Sequence, residues 1–255
     1  MSFEHTIQFG GDGMIEVYER EYEVGKVKLE LENVNGMIKI RGYDGETLKL
    51  RIEKSWGLLG SEPKVKIRKE GELFKIFTEH RKGFNISFGG SKVNFEIMAP
   101  KGVEVKRVVS VNGTIDITGV SGCMEAKTVN GPISLNVDCA RNIKTVNGKI
   151  NAKVGKLLGN ISTINGKIEV YLGSIGEKVK ITTVNGPITL HLHPKFNATV
   201  DVRTTNGNIS TDFEEIKVMG TGKHYGPKAA TGTLGDGRNV LRVSTTNGYI
   251  KILKG

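Results

Sequence analysis

Apolar and polar residues alternate with a period of two along most of this chain, and the alternation restarts after each of eight Asn-Gly pairs. The pairs are Asn35-Gly36, Asn112-Gly113, Asn130-Gly131, Asn147-Gly148, Asn165-Gly166, Asn185-Gly186, Asn206-Gly207 and Asn247-Gly248. Three residues beyond the Asn stands Ile every time: Ile38, Ile115, Ile133, Ile150, Ile168, Ile188, Ile209 and Ile250. Five beyond it stand Ile40, Ile117, Leu135, Ala152, Val170, Leu190, Thr211 and Ile252, with the polar row Lys39, Asp116, Ser134, Asn151, Glu169, Thr189, Ser210 and Lys251 in between. Four before the Asn lie Val108, Ala126, Ile143, Ile161, Ile181, Val202 and Val243. This pattern predicts two short half-buried β-strands per unit, one on each side of the turn.

From the second copy to the seventh, successive Asn residues are 18, 17, 18, 20 and 21 positions apart. A repeat of this length is the mark of a stacked architecture. Asn-Gly between alternating runs is also a strong hairpin signal, which would give an antiparallel meander or barrel. The two strands of one unit differ, however, whereas each resembles its equivalent in the next unit, and equivalent strands stack best in parallel. The prediction is an all-β parallel β-solenoid, right-handed or flattened, with 17–21 residues per coil and Asn-Gly at a corner. The left-handed hexapeptide helix is set aside, because the inward rows do not recur every six positions. One coil buries about five aliphatic side chains at ~1.5–3 kcal/mol each. Ordering its ~18 residues costs ~1–2 kcal/mol apiece. Coils are therefore stable only when stacked. Ser110, Thr128, Thr145, Thr163, Thr183, Thr204 and Thr245, two before the Asn, are expected to form a hydroxyl ladder along the stack, with the Asn side chains doing likewise.

The period breaks twice. Between Asn35 and Asn112 lie 77 residues, in which Leu48, Leu50 and Ile52, Val65 and Ile67, Leu73 and Phe77, and Val93, Phe95 and Ile97 keep a strand-like alternation. Residues 1–100 are read as irregular, wider coils and a cap over the open edge, with a separate small β-domain as the alternative. Residues 101–255 are read as the regular solenoid. The last step is 41 residues and contains the Gly-rich segment Gly220–Gly237, read as a loop. Nothing predicts a helix beyond a single turn in Asp212–Val218. Long loops on rigid scaffolds bind ligands, so function is expected in Ser55–Gly90 and Gly220–Gly237.

The net charge of +10 is uneven: residues 1–100 carry 16 Lys/Arg against 16 Asp/Glu, and residues 101–255 carry 21 against 11. Such an excess attracts nucleic acid, anionic lipid or acidic polysaccharide. The basic residues are scattered one or two per coil without aromatic stacking partners, so a basic solubilising surface is the simpler reading. No basic-then-apolar leader and no apolar run near ~18 residues is seen, so the chain reads as soluble and cytoplasmic, without membrane insertion. Cys123 and Cys139 lie about one repeat apart with no zinc-type spacing. They read first as two small buried residues and second as a disulfide between neighbouring coils.

The segments NVNGMIKIRG (33–42), FEIMAPKGVEVKRVVSVNGTIDI (95–117), the TVNG and TING copies, and GDGRNVLRVSTTNGYIKI (235–252) together resemble the putative adhesin family, over nearly the whole chain. The resemblance implies a β-solenoid, often linked to cell surfaces or envelope stress, and hence envelope association. That family has no established catalytic residues, so none is carried over.

Candidate chemistry is sparse. His191 and His193 flank inward Leu192 and point outward, and a metal site would need His224 or Asp236 as a third ligand. A solvated strand face is the simpler account. Glycoside hydrolysis needs two carboxylates about 5–10 Å apart. Asp116 and Glu169 would lie three coils apart, roughly 14 Å by strand spacing. No GxSxG, P-loop or dinucleotide-binding glycine pattern occurs in a supporting context. The expectation is a non-catalytic scaffold or adhesin-like interaction protein, with no catalytic, cofactor-binding or metal residues and no cofactor. Its partner would be a protein or polysaccharide. A polysaccharide-modifying β-helix and a scaffold that self-associates through its ends are the alternatives, and nucleic acid is not expected.

Overall fold

The structure is a computed structural model that describes residues 3–10, 13–58, 60–79, 90–220 and 228–255; these form strands and turns, with no helix among them. The chain divides into two compact units, Met1–Gly122 and Cys123–Gly255.

The first unit contains β1 (Phe3–Gly10), β2 (Gly13–Glu23), β3 (Val27–Glu32), β4 (Ile38–Tyr43) and β5 (Thr47–Gly57). It continues with β6 (Val65–Glu70), β7 (Leu73–Thr78), β8 (Lys92–Pro100), β9 (Val103–Val109) and β10 (Ile115–Thr118). Strands β1, β2, β5 and β8 pair antiparallel in that order. Strand β8 then pairs in parallel with β4, and β4 with β10. In a second row, β6 is antiparallel to β7, while β7, β3 and β9 run parallel. Where the 77-residue step has room for wider coils, the chain therefore folds back on itself. One cause is Gly71, whose φ of 57° closes the tight β6–β7 turn. Leu29, Leu31, Ile40, Leu48, Phe74, Ile76 and Phe95 are fully buried and form the centre of this unit's core.

The second unit contains β11 (Cys123–Lys127), β12 (Ile133–Lys144), β13 (Ile150–Leu157), β14 (Ile161–Ser162), β15 (Ile168–Ile175), β16 (Lys178–Asn185) and β17 (Ile188–Leu192). It ends with β18 (Ala198–Asn206), β19 (Ile209–Thr211), β20 (Lys217–Gly220), β21 (Lys228–Leu234), β22 (Val240–Asn247) and β23 (Ile250–Lys254). Strands after the corner stack in parallel with Ile over Ile: Ile133, Ile150, Ile168, Ile188, Ile250, Ile209. Strands before the corner stack likewise through Ala126, Ile143, Ile161, Ile181, Val243 and Val202. All twelve side chains are buried, which makes this the β-solenoid core that the alternation predicts.

The stacking order departs from sequence order. The last copy, on β22 and β23, lies between the Asn185 coil and the Asn206 coil. The cause is the 41-residue step, part of which folds as the ribbon β20–β21. Strand β21 pairs antiparallel along one edge of β18 and leaves the other edge for β22. The segment read as a Gly-rich loop is thus a strand from Lys228 to Leu234, and its residues 221–227 lie outside the described residues, as do residues 80–89 of the other expected binding segment.

Cys123 and Cys139 are register partners on β11 and β12 and are joined as a disulfide. They are half-buried, not core residues, because each stands on the outward side of its strand. The bond closes a loop with a sequence separation of 16.

Reduction of the disulfide, or Cys139→Ser, should lower stability to urea by about 3 kcal/mol through the released loop entropy, read by unfolding with and without a thiol reductant. Deleting Asn239–Gly255 removes the strands on which β18 and β19 stack, so proteolysis should then cut within residues 193–238. An unchanged unfolding midpoint for the deletion would contradict the inserted topology.

Candidate functional site: the Asn-Gly corner

The six Asn-Gly copies of the second unit form one continuous ladder. Asn147 Nδ2 donates to Asn130 Oδ1 at 2.8 Å, Asn165 to Asn147 at 2.9 Å, Asn185 to Asn165 at 2.9 Å, Asn247 to Asn185 at 2.8 Å and Asn206 to Asn247 at 2.8 Å. Behind the amides the backbones meet closely. A Cβ on Gly148 would stand 2.0 Å from the Gly131 carbonyl oxygen, one on Gly166 2.0 Å from that of Gly148, and one on Gly186 2.1 Å from that of Gly166. Gly248 and Gly207 repeat the contact at 2.1 and 1.9 Å, against Gly186 and Gly248. No side chain fits there, so the glycine is required by close approach. The first unit carries one copy of the same joint, with Asn112 Nδ2 donating to Asn35 Oδ1 at 2.9 Å and Gly113 against the Gly36 carbonyl.

Five threonine hydroxyls of this row bond along the stack, as the sequence pattern predicts, and their acceptors are backbone carbonyls. Each donates to the glycine carbonyl of the neighbouring coil: Thr145 to Gly131 at 3.1 Å, Thr163 to Gly148 at 3.1 Å, Thr183 to Gly166 at 3.2 Å, Thr245 to Gly186 at 2.9 Å and Thr204 to Gly248 at 2.9 Å. They face inward beneath the corner, where the absent Cβ leaves that oxygen within reach. These hydroxyls are buried and committed, and the amides do not ionise near neutral pH, so the corner is suited to holding coils together and not to proton transfer.

The residue just before each Asn faces outward. In stacking order this row reads Val129, Val146, Ile164, Val184, Thr246, Thr205; Val129, Ile164 and Val184 are 40%, 44% and 42% exposed. Lys127 and Lys144 stand two residues earlier on the same strand face, and Lys149 and Lys167 two residues after their Asn. The signal of this row in the sequence is an apolar residue recurring at an outward position.

The other candidates have local partners. The His191 ring stacks on Tyr171 of the adjacent coil, with centroids 4.0 Å apart and planes 5° from parallel. Its Nε2 is 3.6 Å from Glu169 Oε1. Lys167 Nζ lies 2.7 Å from Glu169, and this hydrogen bond holds the carboxyl below the usual carboxylate range. His193 Nδ1 accepts the Lys195 backbone N–H at 3.1 Å. Asp236 is engaged by the Asn197 side chain, which lowers its pKa first, and by Arg238 at 2.6 Å. His224 lies outside the described residues, among which no group of three or more His, Cys, Asp or Glu is placed to hold a metal. In the first unit Arg41 grips Asp116 through two nitrogens at 2.5 and 3.1 Å.

The first unit also has a cleft of about 270 Å³, lined by Tyr18, Arg20, Tyr22, Ile52, Lys54 and Ile67. Lys54, only 7% exposed, bonds Glu16 at 3.1 Å and Glu62 at 2.8 Å, with its ammonium 4.6 Å from the Tyr18 ring centroid. Burial pulls its pKa down, and the two carboxylates more than offset this, so it stands above the ordinary lysine value. Lys54 and Glu16 are buried together, while the Glu62 carboxylate stays half exposed.

Parallel coils, a buried Ile row and a glycine-closed corner define a β-solenoid-like repeat protein. Residues 21–253 match the Toastrack DUF4097 family, and the chain belongs to that family. Among solved structures it is similar to a putative cell adhesion protein from Clostridium sporogenes, with 16% identity and a TM-score of 0.36 over 93% of this chain and 99% of that one. A putative adhesin from Bacteroides fragilis is 13% identical with a TM-score of 0.40, over 92% and 96% of the two chains. One from Parabacteroides merdae is 12% identical with a TM-score of 0.41, over 92% and 95%. No curated protein matches the chain. Among the described residues no helix is long and apolar enough to cross a membrane.

The corner separates two kinds of substitution. Gly166→Ala places a methyl group against a backbone carbonyl and should cost about 3 kcal/mol. Asn165→Ala removes exposed amide bonds and should cost about 1 kcal/mol. Urea unfolding of the two variants gives the order; equal costs would mean that the amides, not the close approach, hold the corner.

Proposed function

We propose that the protein is a non-catalytic display scaffold of adhesin type, whose rigid stacked coils present outward side chains to a macromolecular partner. The observation that carries this reading is the division of labour within each repeat. The Ile rows, the threonines and the Asn-Gly corner are spent on holding coils together, which leaves the outward rows to vary from coil to coil: Ser134, Asn151, Glu169, Lys251 and Ser210 on one strand face, with the buried Thr189 completing the row. Strand β21 covers one edge of β18, which favours a capped stack over growth end to end. The Cys123–Cys139 disulfide supports a compartment where thiols are not kept reduced, in keeping with a place at the cell envelope.

The test is retention of ligands on the immobilised chain, using cell-envelope fractions, a polysaccharide array and lipid vesicles. Saturable retention should be lost in outward-row variants whose unfolding midpoint is unchanged. Turnover of any retained ligand, abolished by one side-chain substitution, would sink the non-catalytic reading.

A further inference from the structure

We propose that the Asn-Gly corner of the second unit docks edge-on against an anionic lipid surface. In this pose Val129, Val146, Ile164 and Val184 enter the boundary between headgroups and acyl chains, and the flanking lysines pair with lipid phosphates. The proposal deepens the display reading, on which it rests, by naming the partner of one outward row.

The aliphatic row is not demanded by the fold. Thr246 and Thr205 occupy the same position with the same register and the same Asn and Thr hydrogen bonds, so a polar β-branched residue serves the corner equally well. Four consecutive coils nevertheless carry Val, Val, Ile and Val there. Insertion of the last copy beyond Asn185 keeps these four adjacent and leaves both threonine coils on the far side. At ~4.8 Å per coil the aliphatic ridge is about 14 Å long.

Charge narrows the choice of partner. The second unit carries 18 Lys/Arg against 9 Asp/Glu. Beside the ridge, Lys127 is paired with Glu125 at 2.8 Å and Lys167 with Glu169 at 2.7 Å, while Lys144 and Lys149 are exposed. A second copy would cover the ridge but set lysine rows against each other. An acidic polysaccharide or a nucleic acid would answer the lysines and leave the aliphatic side chains in water. A lipid surface with anionic headgroups answers both at once. The amide ladder beside the ridge would sit at headgroup level, where its outward donors and acceptors stay hydrated. This is contact from outside the bilayer, with no segment spanning it.

The experiment is co-sedimentation of the intact chain with vesicles of phosphatidylcholine alone and of phosphatidylcholine mixed with phosphatidylglycerol. Binding to the mixed vesicles is expected. Lys144→Gln with Lys149→Gln should weaken it by roughly fivefold per lysine. Val129→Thr, Ile164→Thr and Val184→Thr together should weaken it by about tenfold. The threonine variant copies residues already present at this position, so its unfolding midpoint should match the parent's. Absence of binding to the anionic vesicles overturns the proposal. Undiminished binding by the threonine variant also overturns it, since attraction would then be by charge alone. Retention of an acidic polysaccharide or of another partner in place of vesicles overturns it too, and leaves the display reading standing.

Discussion

A glycine carbonyl placed where the next coil's Cβ would be is the contact on which this fold depends. At about 2 Å from each hypothetical methyl group, it brings neighbouring corners closer than any side chain allows. The same oxygen accepts a buried threonine hydroxyl, so one atom fixes both the approach and the register of two coils. Once the corner is set, the strands on either side can pair only Ile over Ile, and the inward rows become continuous. The hydrophobic burial is far larger in energy, but an aliphatic row alone leaves register open to slippage by two residues. The corner removes that freedom.

Because every corner presents the same acceptor and the same amide, any copy can stack on any other. This equivalence is why the order in space need not follow the order in the chain. The Asn247 copy takes its place between Asn185 and Asn206, and the Asn35 copy lies beside Asn112 across a 77-residue step. The intervening segments then serve as returns and edge covers, with β21 along β18 as the clearest case.

The repeat itself was legible in the sequence, since Ile three after Asn and the apolar residue four before it name the inward rows without ambiguity. Legibility stopped where equivalence began: eight matching corners contain no information about which meets which. The antiparallel pairing of β5 with β8 was hidden for a related reason, because period-two alternation is the same in parallel and antiparallel strands. The threonine row and its bonding along the stack are legible in the sequence, but the acceptor is not, since the reach of the glycine carbonyl appears only when two coils are adjacent. The half-buried disulfide is not legible in the sequence, because a separation near one repeat fits two buried cysteines equally well.

The candidate surface was visible in the sequence and overlooked for a physical reason. A valine before Asn-Gly reads as ordinary β-propensity, and β-branched residues do suit that backbone. What distinguishes propensity from function is the pair of coils in which threonine, also β-branched, fills the same position. Propensity explains the branching in all six coils and leaves unexplained why four of them are aliphatic and face water. Those four are consecutive in space, and lysine flanks three of them, a combination that stacking does not require. In a repeat protein the rows that vary where the fold is indifferent are therefore the place to look for a partner, and the exposed aliphatic row is where this chain departs furthest from what its own scaffold needs.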